Sequence, residues 1–456
     1  MMIKIILIVL SLSLPVFAQD VRLEAHQKAV KALSELNFFH KGRGMSVTPN
    51  LINLYTQMAK IGAGTGDNGS LNSRWGLTLE DKKVKGLFNV PYEGMNVGVL
   101  GCVACHSGKA AGQYIVGLGN KNMDVGQVGK DASRAMRIWG LPPRFNPKFR
   151  ELHNRALDFT TRLGQDKITN MTQGLVAVSL VRSWFWTVQG APIPEDGFLG
   201  QVKIPHFWGY GEKRKSGSFW DGEANGEQGG WAIAVELFAG QTPENVREYY
   251  PKVHAAEDAL GDLLPPAYPF KIERLMADAG EKIFTNTCMK CHGQHQRDFQ
   301  GHPIYESPKH IPWKVVKTDY DRLRVLTPEW YNMVAINPLN EYISYYTRYE
   351  PGYVAPKLWG IWARFPYLHN ASVPTLYDLL SDPETRPKQF SLKHAGEKER
   401  FDESKLGLTP VFKDDLSRRL YDTKRQGHSN VGHYFESFKT LTHENKVELI
   451  EYLKTL

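Results

Sequence analysis

The sequence predicts a mainly α protein of two domains with long irregular loops, and three observations lead there. All four cysteines of the 456-residue chain fall in two copies of Cys-x-x-Cys-His, within "GCVACHSGK" from Gly101 and "TCMKCHG" from Thr287. The second copy is bracketed by stretches whose apolar residues recur at helical spacing. Between the copies, "PPAYPF" at Pro265 to Phe270 reads as a stiff linker. Length agrees, since 456 residues exceed one small domain.

Composition is that of a globular chain able to bury a core, with 42% apolar and 23% charged residues. The net charge of +8 (56 basic minus 48 acidic) is spread among acids without a Lys/Arg block, which argues against a nucleic-acid partner.

Taken in order, residues 1–18 read as a signal peptide: Lys4, an apolar core from Ile5 to Leu14, then Val16-Phe17-Ala18 before Gln19. That core is too short to span a bilayer, and no later segment offers about 18 uninterrupted apolar residues. A periplasmic protein starting near Gln19 is expected. A helix follows, with Ala25, Ala29, Leu33 and Leu36 on one face. "GAGTGDNGS" from Gly62 is a loop lacking the Lys-Ser/Thr of a phosphate-binding turn. The first domain is expected over 19–270 and the second over 271–456.

In an exported chain four cysteines ordinarily suggest disulfides, but a two-residue gap is a poor staple and each pair is followed at once by His. Covalent haem accounts for all three residues: two thiols add to the porphyrin vinyl groups and the adjacent imidazole ligates the iron. A zinc site would have to unite two distant pairs and leave both histidines idle. Two c-type haems are therefore expected, on Cys102, Cys105 and His106 and on Cys288, Cys291 and His292.

Ahead of the second motif, Leu275, Ala279 and Ile283 recur at helical spacing. At the C-terminus Leu449, Leu453 and Leu456 share a face, with Thr442 as N-cap. Gly280 permits close approach of another helix, and Phe284 and Tyr452 would interlock at the crossing. Terminal helices crossing over a haem resemble a small cytochrome c. Sixth-ligand candidates after His292 are Met333, His369 and His433, a hydrogen-bonded histidine being the commoner alternative for either His. For the first haem, Met123, Met136, Met171, His153, His206 and His254 lie downstream.

The motifs "LGCVACHSGK", "SFWDGEANGEQ", "AGQTP", "PPAYPF", "CMKCHG" and "GIWARFPYLHNASVPTLYDL", with "SNVGH" and "IEYLKTL", occur in that order from about Gly98 to Leu456. In this arrangement the chain resembles the bacterial dihaem cytochrome c peroxidase and MauG superfamily, in the branch that includes the dihaem rubber oxygenases. The resemblance implies a catalytic first haem, an electron-transfer second haem with His433 as sixth ligand, and a structural place for His369. It implies an electron relay at Trp220, and a calcium ion held partly by the carbonyls of Arg364 and Pro366. For the distal chemistry it points to Gln228 and Glu236. A poised carboxylate can move a proton between peroxide oxygens, while a solvent-facing helical Glu is the alternative.

The implied activity is reduction of hydrogen peroxide at the first haem, with electrons from a small periplasmic cytochrome c or cupredoxin entering at the second. A dioxygen-using oxygenase or oxidase and a plain electron carrier are the alternatives.

Overall fold

A computed structural model describes residues 23–37, 46–47, 71–138, 171–210, 242–297, 304–339, 350–413 and 419–456, apart from 82, 93, 181, 184–190, 193, 195 and 305–308. The signal segment 1–18 and the candidates His153, Trp220, Gln228 and Glu236 lie outside the described residues.

Helix outweighs strand among the described residues, and the strands form short antiparallel pairs and one three-stranded sheet. Residues 23–35 are helical and bury Ala29, Leu33 and Leu36, the expected face. Strands β1 (Ser46–Val47), β2 (Leu87–Tyr92) and β3 (Met95–Leu100) form the sheet, with β3 central. Immediately after it comes α1 (Cys102–His106), which carries the first motif. The hairpin of β4 (Ser107–Ala110) and β5 (Gln113–Val116) follows.

Helix α2 (Val125–Ile138) is pinned by its buried Asp131, which accepts from Arg74 Nε and Nη2 at 2.6 Å each, Trp75 Nε1 at 2.9 Å and Gln127 Nε2 at 2.7 Å. Strand β6 (Leu175–Ala177) pairs with β7 (Gln201–Lys203). Helix α3 (Pro243–Ala259) starts with Thr242 as N-cap and Pro at its first position, a favourable pairing for a residue without an N–H. Its buried Glu257 accepts from the hydroxyls of Tyr210 and Tyr250 at 3.0 and 3.2 Å.

Two helices frame the second motif: α4 (Arg274–Thr287), leading into the short α5 (Met289–His292), and α6 (His443–Lys454). They cross where Gly280 has no side chain, since a Cβ there would meet the Glu448 carbonyl oxygen at 2.0 Å and Tyr452 Cβ at 2.9 Å. Phe284 and Tyr452 close over the crossing with centroids 5.2 Å apart. Thr442 caps α6 in a reciprocal capping box with Asn445.

The buried stripe of α4 differs from the expected one. It is Ala277, Gly280 and Phe284, while Leu275 is 86% exposed. Close approach at Gly280 sets the facing stripe, and Leu275 falls outside it. The expected linker packs inward: Trp362 Nε1 donates to the Pro266 carbonyl at 3.0 Å, and Tyr268 meets Trp362 edge-on. One apolar cluster runs from Ala29 to Leu456, across both expected domains.

Gly280→Val should destabilise the protein by about 1–3 kcal/mol, the cost of forcing carbon into a packed contact. Denaturant unfolding of the holo-protein, followed at the Soret band, measures it.

Candidate functional site

The first motif begins at Gly101, whose N–H donates to the Gly86 carbonyl at 2.9 Å, while Cys102 N–H donates to the Leu36 carbonyl at 3.2 Å. Both bonds seat the motif between the sheet and the N-terminal helix. A Cβ at Gly86 would meet the backbone of Ala104 at 2.2 Å, so the motif lies directly on that turn. Asn120 Nδ2 donates to the carbonyls of Gly76 and Ala104, fixing the far side.

Within this frame His106 Nδ1 donates to the Pro205 carbonyl at 3.0 Å, and its ring stacks on Phe207 at 4.0 Å and 19°. Donation through Nδ1 leaves Nε2 as the ligating nitrogen. Burial pushes His106 down to about 4, so the imidazole is neutral near pH 7, the form a metal requires. Cys102 and Cys105 are thiols not joined to each other. Burial pushes Cys102 strongly upward and Cys105 up to about 12, so neither is an activated thiolate.

The second motif repeats the arrangement. His292 Nδ1 donates to the Pro356 carbonyl at 2.7 Å, and burial pushes the imidazole down to about 4. His433 faces it, with ring centroids 6.2 Å apart and planes at 51°. After the rings' own radii are subtracted, this gap fits one metal ion bonded at about 2 Å to each imidazole, a typical metal–imidazole distance. His433 is held at φ +48°, its N–H donating to the Val316 carbonyl at 2.7 Å and its ring set edge-on to Phe435. Its buried Nδ1 has no hydrogen-bond partner among the described residues, and burial pushes the ring down to about 3. The residues present thus fit a c-type haem at this site.

The loop bearing His433 is anchored from two sides. Arg386, 1% exposed, donates to the carbonyls of Asn430 and Gly432 at 2.5 and 3.0 Å. Asn370 Nδ2 donates to those of Gly427 and Ser429. His369 stands elsewhere: its ring stacks on Tyr353 at 4.8 Å, and its carbonyl accepts the Lys203 N–H. Of the two histidine candidates, His433 is the one whose ring faces His292.

Among the other candidates, Met123 and Met171 are core residues, Met333 packs on the main core, and His254 Nδ1 lies 3.2 Å from Asp258 Oδ2. His206 sits against the Trp208 ring, and Met136 lies on α2. The Arg364 and Pro366 carbonyls, implied as calcium ligands, both accept from Lys203 Nζ, at 2.9 and 3.1 Å. A cation there would compete with that lysine. Among the described residues no group of three or more His, Cys, Asp or Glu is placed to hold a metal ion.

Sequence reasoning missed the two proline carbonyls, which lie 99 and 64 residues beyond their histidines. A signal was available: Pro205-His-Phe-Trp-Gly209 and Pro356-Lys-Leu-Trp-Gly360 share the pattern Pro-x-x-Trp-Gly. The haem motif is therefore not the only element that recurs. Both tryptophans are buried and both final glycines have positive φ.

Residues 352–391, which contain Pro356, Arg364 and His369, match the family described as RoxA-like, cytochrome c-like. The chain is 30% identical over 307 residues to uncharacterized protein y4iM of Sinorhizobium fredii (strain NBRC 101917 / NGR234), covering 57% of this chain and 65% of that protein. It is 44% identical over 112 residues to uncharacterized protein y4iJ of the same organism, covering 23% of this chain and 18% of that one. The chain thus spans just under two thirds of one relative and about a fifth of the other. The match over 352–391 supports a c-type haem protein.

In the loop that presents His433, His428 is buried between Thr172 Oγ1 and the Gln426 carbonyl, and burial pushes it from 6.5 down to about 4. The unfolded chain therefore takes up this proton first as pH falls. Its contribution to stability is complete above pH 6.5 and declines between 6.5 and about 4. His428→Gln should flatten the stability curve over that window, as read by thermal unfolding across pH. His433→Gly should convert one low-spin haem of the holo-protein to high spin, and an unchanged electron paramagnetic resonance spectrum would remove His433 from the ligand set.

Proposed function

We propose that this chain is an exported two-haem c-type oxidoreductase in which the His292/His433 site carries electrons and the His106 site reduces hydrogen peroxide. The observation that carries the reading is the facing pair His292 and His433, set against a first site built on the same Cys-x-x-Cys-His and proline-carbonyl plan. Haem, when bound, would supply single-electron exchange and the redox chemistry that reduces small oxygen species.

The chain's own residues do the rest. Cys102 and Cys105, and Cys288 and Cys291, would fix the two groups covalently. Pro205 and Pro356 orient the two imidazoles and hold their Nδ1 protons. His433, which packs on Phe435 and Phe438 in a loop tethered by Arg386, would close the second site and keep it an electron carrier. Two electrons from a small periplasmic cytochrome c or cupredoxin and two protons would convert one peroxide to two waters. In this reading Glu236 takes the proton from one peroxide oxygen and returns it to the other, Gln228 orients the peroxide by a hydrogen bond, and Trp220 relays electrons. The Arg364 and Pro366 carbonyls already serve Lys203, so calcium has no part in the reading.

A second reading has its own support. The RoxA-like match over 352–391 supports an oxygenase or oxidase as the alternative, in which dioxygen and an organic substrate would take the place of peroxide. Stopped-flow mixing of half-reduced holo-protein with stoichiometric peroxide separates the two. Rapid spectral change at one haem, with turnover once reduced cytochrome is supplied, is the expected result, and Glu236→Gln should slow it by about 10²–10⁴-fold. Silence towards peroxide with a stable dioxygen adduct would move the assignment to the oxygenase.

A further inference from the structure

The two histidine-bearing motifs are joined by hydrogen bonds and short stretches of chain that bypass the four cysteines. His106 Nδ1 donates to the Pro205 carbonyl at 3.0 Å, and Lys203 stands two residues earlier, at the end of β7. From there Lys203 Nζ donates to the carbonyls of Arg364 and Pro366 at 2.9 and 3.1 Å. Arg364, 9% exposed, donates through Nη1 to the Lys357 carbonyl at 2.8 Å. Lys357 follows Pro356, whose carbonyl accepts His292 Nδ1 at 2.7 Å.

The two Pro-x-x-Trp-Gly segments also touch. A Cβ at Gly360 would meet the Trp208 ring at 2.8 Å, so the glycine of one segment packs bare against the indole of the other. The Lys203 N–H closes the assembly by donating to the His369 carbonyl at 2.8 Å.

We propose that Lys203 and Arg364 are positioning residues for both haem sites, a clasp that holds the Pro205 and Pro356 carbonyls on the two histidines as one unit. The proposal rests on the two-haem reading. Physically, a carbonyl held firmly on Nδ1–H makes the imidazole a stronger donor to its metal. A loosened carbonyl weakens that donation and destabilises the oxidised iron. Cutting the clasp at either end should therefore be felt at both sites.

The full-length holo-protein is the material for the test, in wild-type, Lys203→Met, Arg364→Met and Lys203→Arg forms. Haem content comes first, by pyridine haemochrome: fewer than two c-type haems per wild-type chain removes the underlying reading. With two haems present, spectroelectrochemical titration resolves two reduction potentials. Lys203→Met should raise both, including that of the distant His292 site, and Arg364→Met should raise both, including that of the His106 site. Lys203→Arg, which retains the donors, should restore most of the difference.

A shift confined to the nearer haem, or a fall of both potentials as expected from simple loss of positive charge, would overturn the clasp. If Lys203→Met yields too little holo-protein, Lys203→Gln keeps one donor and should give the same paired rise at smaller amplitude. A change in unfolding midpoint with both potentials fixed would reduce Lys203 to a packing role and also overturn it.

Discussion

The described structure depends on one interaction made twice: donation from a histidine Nδ1 to a proline carbonyl, His106 to Pro205 and His292 to Pro356. A Cys-x-x-Cys-His turn places an imidazole only roughly, because the ring can rotate about its side-chain bonds. The carbonyl removes that freedom, selects the tautomer and leaves Nε2 as the outward nitrogen. Each carbonyl in turn must be held, and much of the fold around the sites does so. The β6–β7 pair leads directly into Pro205, and β8 (His310–Pro312) with β9 (Gly352–Val354) leads into Pro356. Buried tryptophans at 208 and 359 lock the turn that follows each proline.

Electrostatics fit the same purpose. Burial keeps His106, His292 and His433 neutral, so each is ready to ligate near neutral pH without first losing a proton. Around them lie Lys121, Lys203 and Arg364, with Lys203 held well below the ordinary lysine range by burial and by its two cationic neighbours. Such a cluster is costly unless its donors are satisfied, and the structure satisfies them largely with backbone carbonyls. One of these carbonyls, that of Lys357, directly follows Pro356, whose own carbonyl accepts from His292.

The two sites share a plan, and at the second, among the described residues, a further histidine faces the motif's own. Opposite His292 stands His433, delivered by a loop that Arg386 and Asn370 fasten to the segment matched to the RoxA-like family. Stacked on His106 is Phe207, an apolar ring that restricts the imidazole's rotation.

Much of this was legible in the sequence wherever the cause is local. The Cys-x-x-Cys-His turns, the Thr442 cap and the helix facing Ala29 and Leu33 rest on contacts within a few residues, which spacing alone specifies. The helix crossing at Gly280 was also legible, because a missing side chain is visible in one letter, but the stripe it buries was not, since Leu275 obeys the period and still faces solvent. What only the tertiary structure decided is which distant groups meet: Pro205 with His106, Pro356 with His292, and Lys203 on the Arg364 and Pro366 carbonyls. Each of those pairings ends on a backbone carbonyl, which every residue carries; the recurring Pro-x-x-Trp-Gly marks two of the segments but not which histidine each meets, and the contacts form only when loops far apart in the chain pack on one core.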